Sequence, residues 1–180
     1  GSVLNLIVDR DRKFGIDVSE TSIKIAKEKG LNCVVYDGTN LPFEEEKFGL
    51  VYSFNVLEHV DNVEFYLSEM VRVLKRGGYL VIVFPNFLSI TNSFHWHTAG
   101  FSQKICNFMS ILKKIIFPRL SFQKMKTVER EDFHSDDDAC NVTNPIDIMK
   151  WAKNNKLILK SYSCQSVYKK NLFLDFIDKT

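Results

Sequence analysis

Glycine and proline are scarce in this chain. Eight glycines and four prolines in 180 residues rule out a collagen-like or linker-dominated organisation. There is no internal repeat and no low-complexity tract. No apolar run approaches the ~20 residues of a bilayer-spanning helix. The four cysteines, Cys33, Cys106, Cys140 and Cys164, follow neither zinc-ligand spacing nor a compact disulfide framework. Cys33 and Cys164 lie in apolar runs and read as buried thiols, which sets the expectation of a reducing, cytoplasmic setting. Acidic residues are missing from one long segment. No Asp or Glu occurs between Met70 and Val128, a span that holds nine Lys and Arg, and acids return in Glu129–Asp138. The net charge is only +2, so no nucleic-acid partner is expected. The one-signed segment is expected to meet either an anionic partner or the acidic run of the same chain, with the second preferred. Before Asp17 the only glycines are Gly1 and Gly15, and Gly1–Ser2 reads as an appended dipeptide.

The residues that are present suit one domain with a real core: 45% apolar and 26% charged, with 15 phenylalanines. Several Phe fall outside strand-like runs, and extra core or an apolar binding surface would both account for them. Val3–Val8 and Lys13–Asp17 have strand character. The turn between them is too short for a parallel crossover, so if adjacent they pair antiparallel. Ser19 caps a helix to Lys29, with Gly30 as its C-terminal signal. Cys33–Tyr36 is a short buried strand, Asp37–Gly38 a tight turn, and Leu41–Glu46 an exposed loop. Leu50–Phe54 is a continuous apolar run that stops at a polar shoulder, Asn55–His59. The pattern predicts a buried strand ending in polar side chains, which is where open α/β sheets bind ligands.

From Val63 a helical period runs to a stop at Gly77–Gly78, and Tyr79–Phe84 is another buried strand. This alternation predicts an α/β fold: a doubly wound, mostly parallel sheet with helices on both faces. Residues 87–128 break the pattern. Within them Phe101, Ile105, Phe108, Leu112, Ile115 and Ile116 line one face of a basic helix. That face is expected to be buried as a cap over the ligand edge, within a single domain spanning 3–180. The alternative is peripheral membrane contact through 101–117. Asn144 with Pro145 opens a last helix to about Asn155. Leu157–Ser163 and Leu172–Ile177 then form a C-terminal antiparallel hairpin.

Phe14–Glu20 (FGIDVSE), Tyr36–Val60, Val73–Asn86 and the terminal helix with its hairpin together resemble the class I S-adenosylmethionine (SAM) methyltransferases of the type 11 group. The resemblance is close over Phe14–Asn86 and loose over Asp136–Thr180. It implies a Rossmann-like fold, SAM as cofactor, and methyl transfer to a small or lipid-like acceptor. Residue by residue it implies that Asp17 takes the ribose hydroxyls and that Val18 packs beside the adenine. Asp37, Gly38 and Thr39 would lie near the adenine amino group, and Asn55 and Val56 would line the cofactor and reacting centre. His59 would be the general base. Some resembling enzymes hold a divalent metal with Glu-x-x-Glu-His at this place. Here Asn55 replaces the first Glu, so no metal is expected. His95, Trp96 and His97 fall where such proteins build substrate pockets.

The family's glycine-rich loop after the first strand has no counterpart, so the fold is expected to be N-terminally incomplete. Truncation, a natural short form, or a degenerate protein that no longer binds SAM would each explain this. A sheet face left uncovered by the missing helix points to a homodimer. The function expected is therefore SAM-dependent methyl transfer, with a non-catalytic binding or scaffold protein as the alternative.

Overall fold

The computed structural model describes residues 13–89, 101–117, 120–127, 138–164 and 171–177. The strand expected at Val3–Val8 and the pocket residues His95, Trp96 and His97 lie outside these. The chain divides into two compact units, Gly1–Pro42 and Phe43–Thr180.

In the first unit, β1 (Phe14–Asp17) pairs in parallel with β2 (Asn32–Val35), Asp17 standing opposite Val35. Helix α1 (Glu20–Glu28) connects them. Its start follows the capping rule: Ser19 Oγ accepts from the Ser22 N–H at 3.2 Å. Its end is a left-handed Gly30, φ +74°. Ile23 and Ala26 of the helix bury against Leu31 and Cys33. Leu41, expected in an exposed loop, is buried.

The second unit is built on a four-stranded sheet, β3 (Phe48–Phe54), β4 (Leu74–Pro85), β5 (Ile158–Cys164) and β6 (Asn171–Ile177), in spatial order β3-β4-β6-β5. The β3–β4 pair is parallel, and β6 inserts antiparallel between β4 and β5. The expected hairpin is thus present. Helix α2 (Val63–Val73) packs on β4 and β3, α4 (Pro145–Asn154) on β5, and α3 (Phe101–Ile116) against α4. Val63, Leu67, Met70 and Val73 of α2 are each at most 2% exposed. Each such side chain contributes roughly 1.5–3 kcal/mol. The other half of this core is Leu80, Ile82 and Phe84 of β4 with Ile148 and Trp151 of α4.

Three expectations are corrected. The helix from Val63 ends at Val73, well before Gly77–Gly78. The Arg72 and Val73 carbonyls, which would continue the helix, instead accept from the Glu46 and Lys47 N–H groups at 2.9 Å. Leu74 is therefore already extended, and Gly77 (φ +70°) and Gly78 sit inside β4.

The run Leu50–Phe54 is not a buried strand. Leu50 is 51% and Phe54 46% exposed, while Leu57 and Glu58 of the shoulder are fully buried. Among the described residues β3 pairs only with β4, whereas the shoulder is held by the N–H groups of Cys140 and Asn141 at the Glu58 carbonyl.

Helix α3 is also turned the other way. Ile105, Phe108, Met109, Leu112, Ile115 and Ile116 are all exposed, and Lys114 is buried. The helix is positioned by its polar side. Lys114 Nζ lies 2.6 Å from Asp147 Oδ2, and Asn107 Nδ2 donates to the Ser89 carbonyl at 3.1 Å.

Three cations of the basic segment pair with acids among the described residues, while residues 129–137 of the acidic run lie outside these. Arg72 makes a bidentate pair with Glu69 (2.6 and 2.7 Å), Arg76 pairs with Glu46, and Lys114 with Asp147. The Glu69 hydrogen bond, reinforced by its charge, pushes the Arg72 guanidinium above its ordinary pKa.

Candidate functional site

Parallel strands put their carboxyl ends on one edge, and loops leaving that edge are free to carry polar groups. In the first unit the loops after β1 and β2 hold all five residues expected there. The Asp17 backbone carbonyl accepts from Tyr36 N–H at 2.9 Å, which ties the two strand ends together. Asp17 Oδ1 accepts from the Ser19 N–H at 2.9 Å at the start of α1. This anchors the carboxylate, yet a carboxylate has about four lone-pair positions, so capacity for two hydroxyl donors remains. Val18 beside it is 66% exposed, an apolar side chain free to cover a flat ring.

Asp37 Oδ1 accepts from both the N–H (2.8 Å) and the Oγ1 (2.7 Å) of Thr39. These bonds hold its carboxyl below the ordinary value of 3.8. Gly38 has φ +86° with open space where a side chain would stand, so the turn needs glycine for its backbone and not for room. Thr39 is fixed in turn by Tyr36, whose hydroxyl donates to its carbonyl at 2.7 Å.

In the second unit the Asn55–His59 shoulder leaves the carboxyl end of β3. Asn55 has φ +51°, a left-handed conformation that Asn tolerates better than most residues. Its N–H donates to the Val83 carbonyl at 2.8 Å. Its Oδ1 is buried with no hydrogen-bond partner among the described residues. Asn86 leaves the neighbouring strand β4, and its Oδ1 is in the same condition. Two buried amide acceptors on adjacent strand ends are costly unless something donates to them. Val56 opens the turn, its carbonyl accepting from His59 N–H at 3.0 Å.

His59 is partly exposed. Its Nδ1 lies 3.1 Å from Asp138 Oδ1 and its Nε2 lies 3.8 Å from Glu58 Oε1. Nδ1 has no hydrogen-bond partner among the described residues, so Asp138 stands close to the ring without fixing its tautomer. Among the described residues no group of three or more His, Cys, Asp or Glu could hold a metal ion.

The shoulder is fastened from a distance. Asn141 Nδ2 donates to the Leu57 carbonyl at 3.0 Å and the Val60 carbonyl at 2.7 Å. The N–H groups of Cys140 and Asn141 both donate to the Glu58 carbonyl. Asn86, Asp138 and Asn141 escaped the sequence reading. Asn86 could have been found, because it ends a strand as Asn55 does. Asp138 and Asn141 sit about 80 positions from their partners, and nothing local marks them.

This architecture is the class I SAM-dependent methyltransferase fold. A crystal structure of a SAM-dependent methyltransferase from Methanosarcina mazei superposes with a TM-score of 0.58 at 16% identity, over 92% of this chain and 81% of that one. Residues 1–82 match the family described as Methyltransferase domain. An uncharacterized protein, MJ1123, from Methanocaldococcus jannaschii is 39% identical over 70 residues, 39% of this chain and 34% of that protein. Phthiotriol/phenolphthiotriol dimycocerosates methyltransferase from Mycobacterium tuberculosis is 36% identical over 69 residues, 36% of this chain and 26% of that protein. The matched region therefore spans about a third or less of these relatives.

Proposed function

We propose that this chain binds SAM and transfers its methyl group to a small or lipid-like acceptor. The observation that carries the reading is Asn55: a left-handed residue at a strand's carboxyl end, holding a buried amide oxygen with no donor among the described residues. A left-handed backbone and an unmatched buried acceptor at one residue are features that functional sites retain.

SAM supplies an electrophilic methyl on a sulfonium. Asp17 accepts from the ribose hydroxyls and Val18 covers the adenine. Asp37, with the Gly38–Thr39 backbone, meets the adenine's polar edge. Asn55 and Val56 border the reacting centre, where the protein's contribution is proximity and alignment. His59, with the Asp138 carboxylate nearby, takes the proton from the acceptor as the methyl is transferred. The name of the mycobacterial relative and the richness in phenylalanine support a lipid-like acceptor. The free thiols of Cys33, Cys106 and Cys140 support a reducing, cytoplasmic setting.

Calorimetric titration with SAM tests the first step. Saturable heat is expected. It should weaken in Asp17→Ala and Asn55→Ala, each by about 1.5–3 kcal/mol where a hydrogen bond to a charged group is lost, less for a neutral one. No heat up to millimolar SAM would leave the non-catalytic binding or scaffold protein as the reading for this chain.

A further inference from the structure

Helix α3 is amphipathic in the reverse of the usual sense. Asn107 and Lys114, two turns apart on one side, are its attachments to the body. Asn107 Nδ2 reaches the Phe87 and Ser89 carbonyls, and Lys114 Nζ reaches Asp147 Oδ2 and the Ser121 carbonyl. Lys150 Nζ donates to the carbonyl of Lys114 and holds the helix's C-terminal end. These contacts settle which side faces outward. At about 3.6 residues per turn, Ile105, Phe108, Met109, Leu112, Ile115 and Ile116 form one continuous outer stripe. Each is between 38% and 64% exposed, and Phe117 prolongs the stripe at 63%.

The edges of the stripe are basic. Lys104 borders it on one side and Lys113 on the other, and Lys126 is exposed nearby in sequence. None of the three pairs with an acid among the described residues. The helix contains no acidic residue, and neither does any position from 71 to 127.

We propose that α3 is an interfacial helix that seats this protein on an anionic lipid bilayer, its axis in the plane of the surface. The apolar stripe enters the acyl boundary while Lys104 and Lys113 extend their amines to the lipid phosphates. No helix among the described residues is long and apolar enough to cross a membrane, so the helix lies on the surface. Charge decides between this occupant and a second copy of the chain. Two α3 stripes brought face to face would oppose lysine to lysine with no acid on either helix, whereas an anionic leaflet supplies the opposite sign along the whole length. The inference rests on the orientation of α3 and is independent of the methyl-transfer reading.

The test is flotation of the chain with vesicles of phosphatidylcholine alone and of phosphatidylcholine mixed with phosphatidylglycerol. Binding to the mixed vesicles, weakened by salt, is expected. Lys104→Gln/Lys113→Gln should lower partitioning roughly 30-fold, from about 1 kcal/mol per basic residue near a charged surface. Ile105→Asp/Leu112→Asp should abolish it. Both pairs change exposed or half-exposed positions, so far-UV circular dichroism and the thermal unfolding midpoint should be unchanged and show that each variant is folded. Absence of wild-type flotation, equal binding to neutral vesicles, or unaltered binding of the Asp variant each overturns the proposal. So does a dimer in sedimentation equilibrium that the Asp variant disperses and that does not float.

Discussion

Replacing Lys114 by Met should cost this protein about 3 kcal/mol. The residue looks expendable in the sequence, one lysine of a basic helix, but its side chain is 6% exposed and its amine lies 2.6 Å from Asp147 Oδ2, in a residue that is fully buried. Breaking a buried pair by removing one partner costs about 3–5 kcal/mol, because the other charge stays desolvated. Two details place the value at the lower end. Asp147 Oδ2 keeps the Asn144 Nδ2 donor at 2.9 Å, and Met retains the apolar stem of Lys114. A further small loss comes from the Ser121 carbonyl, which gives up its 3.0 Å bond. For a chain of this size, 1 kcal/mol corresponds to about 2–4 °C, so Tm should fall by roughly 10 °C. Urea unfolding followed by tryptophan fluorescence in a Trp96→Phe background, where Trp151 alone reports, measures the free energy, since that ring is fully buried in α4. The double variant Lys114→Met/Asp147→Leu removes both charges and should recover to within about 1 kcal/mol of wild type. A single variant that loses less than about 1 kcal/mol, or a double variant no better than the single, would refute the claim that this pair fixes α3 by its polar side.

Asn141→Ala should destabilise by about 1–3 kcal/mol, because it removes the amide donor from the buried Leu57 carbonyl and one donor of several from the Val60 carbonyl. Hydrogen exchange at the Cys140 and Asn141 amides, which bond to Glu58, should quicken with it. Gly78→Ala should cost roughly 1–3 kcal/mol: a Cβ there would stand 2.8 Å from both the Leu74 side chain and the Lys75 carbonyl. Asp37 has a depressed carboxyl, so its contribution to stability is complete above the ordinary value of 3.8 and is lost as pH falls through the lower folded value. Thr39→Val removes the Oγ1 donor and should move the Asp37 midpoint upward in an NMR titration; an unmoved midpoint contradicts the assigned cause. His59→Gln should slow methyl transfer by roughly 10²–10⁴-fold if the imidazole removes the acceptor proton, whereas SAM affinity measured by calorimetry should hold.

Local chemistry is enough to place most elements. Ser19 and Asn144 are caps because their side-chain oxygens reach N–H groups three residues on, a relation that spacing alone reveals. The carboxyl-edge residues Asp17, Asp37 and Asn55 were legible for a similar reason: each follows an apolar run and interrupts it with a polar group. Boundaries set by distant partners were not legible. Helix α2 ends at Val73 because Glu46 and Lys47 claim its last carbonyls, and no pattern within the helix announces that.

Burial was the least legible property. Hydrophobicity marks Leu50–Phe54 and the stripe of α3 as core, yet Leu50, Phe54 and the whole stripe are exposed, while Glu58, Lys114 and Asp147 are buried. Sequence period fixes which residues share a face, since 3.6 and 2 are properties of the backbone. Which face turns inward depends on what lies across from it. For α3 that was decided by Asp147, 33 positions away, whose buried carboxylate holds Lys114. For the Asn55–His59 shoulder it was decided by Asn141, whose amide holds the turn by its carbonyls. By itself the sequence determined the elements, their periodic faces and the polar edge residues. Only the tertiary structure chose the buried side of each, because an isolated charge is too costly to bury and its partner's position is a fact of the fold alone.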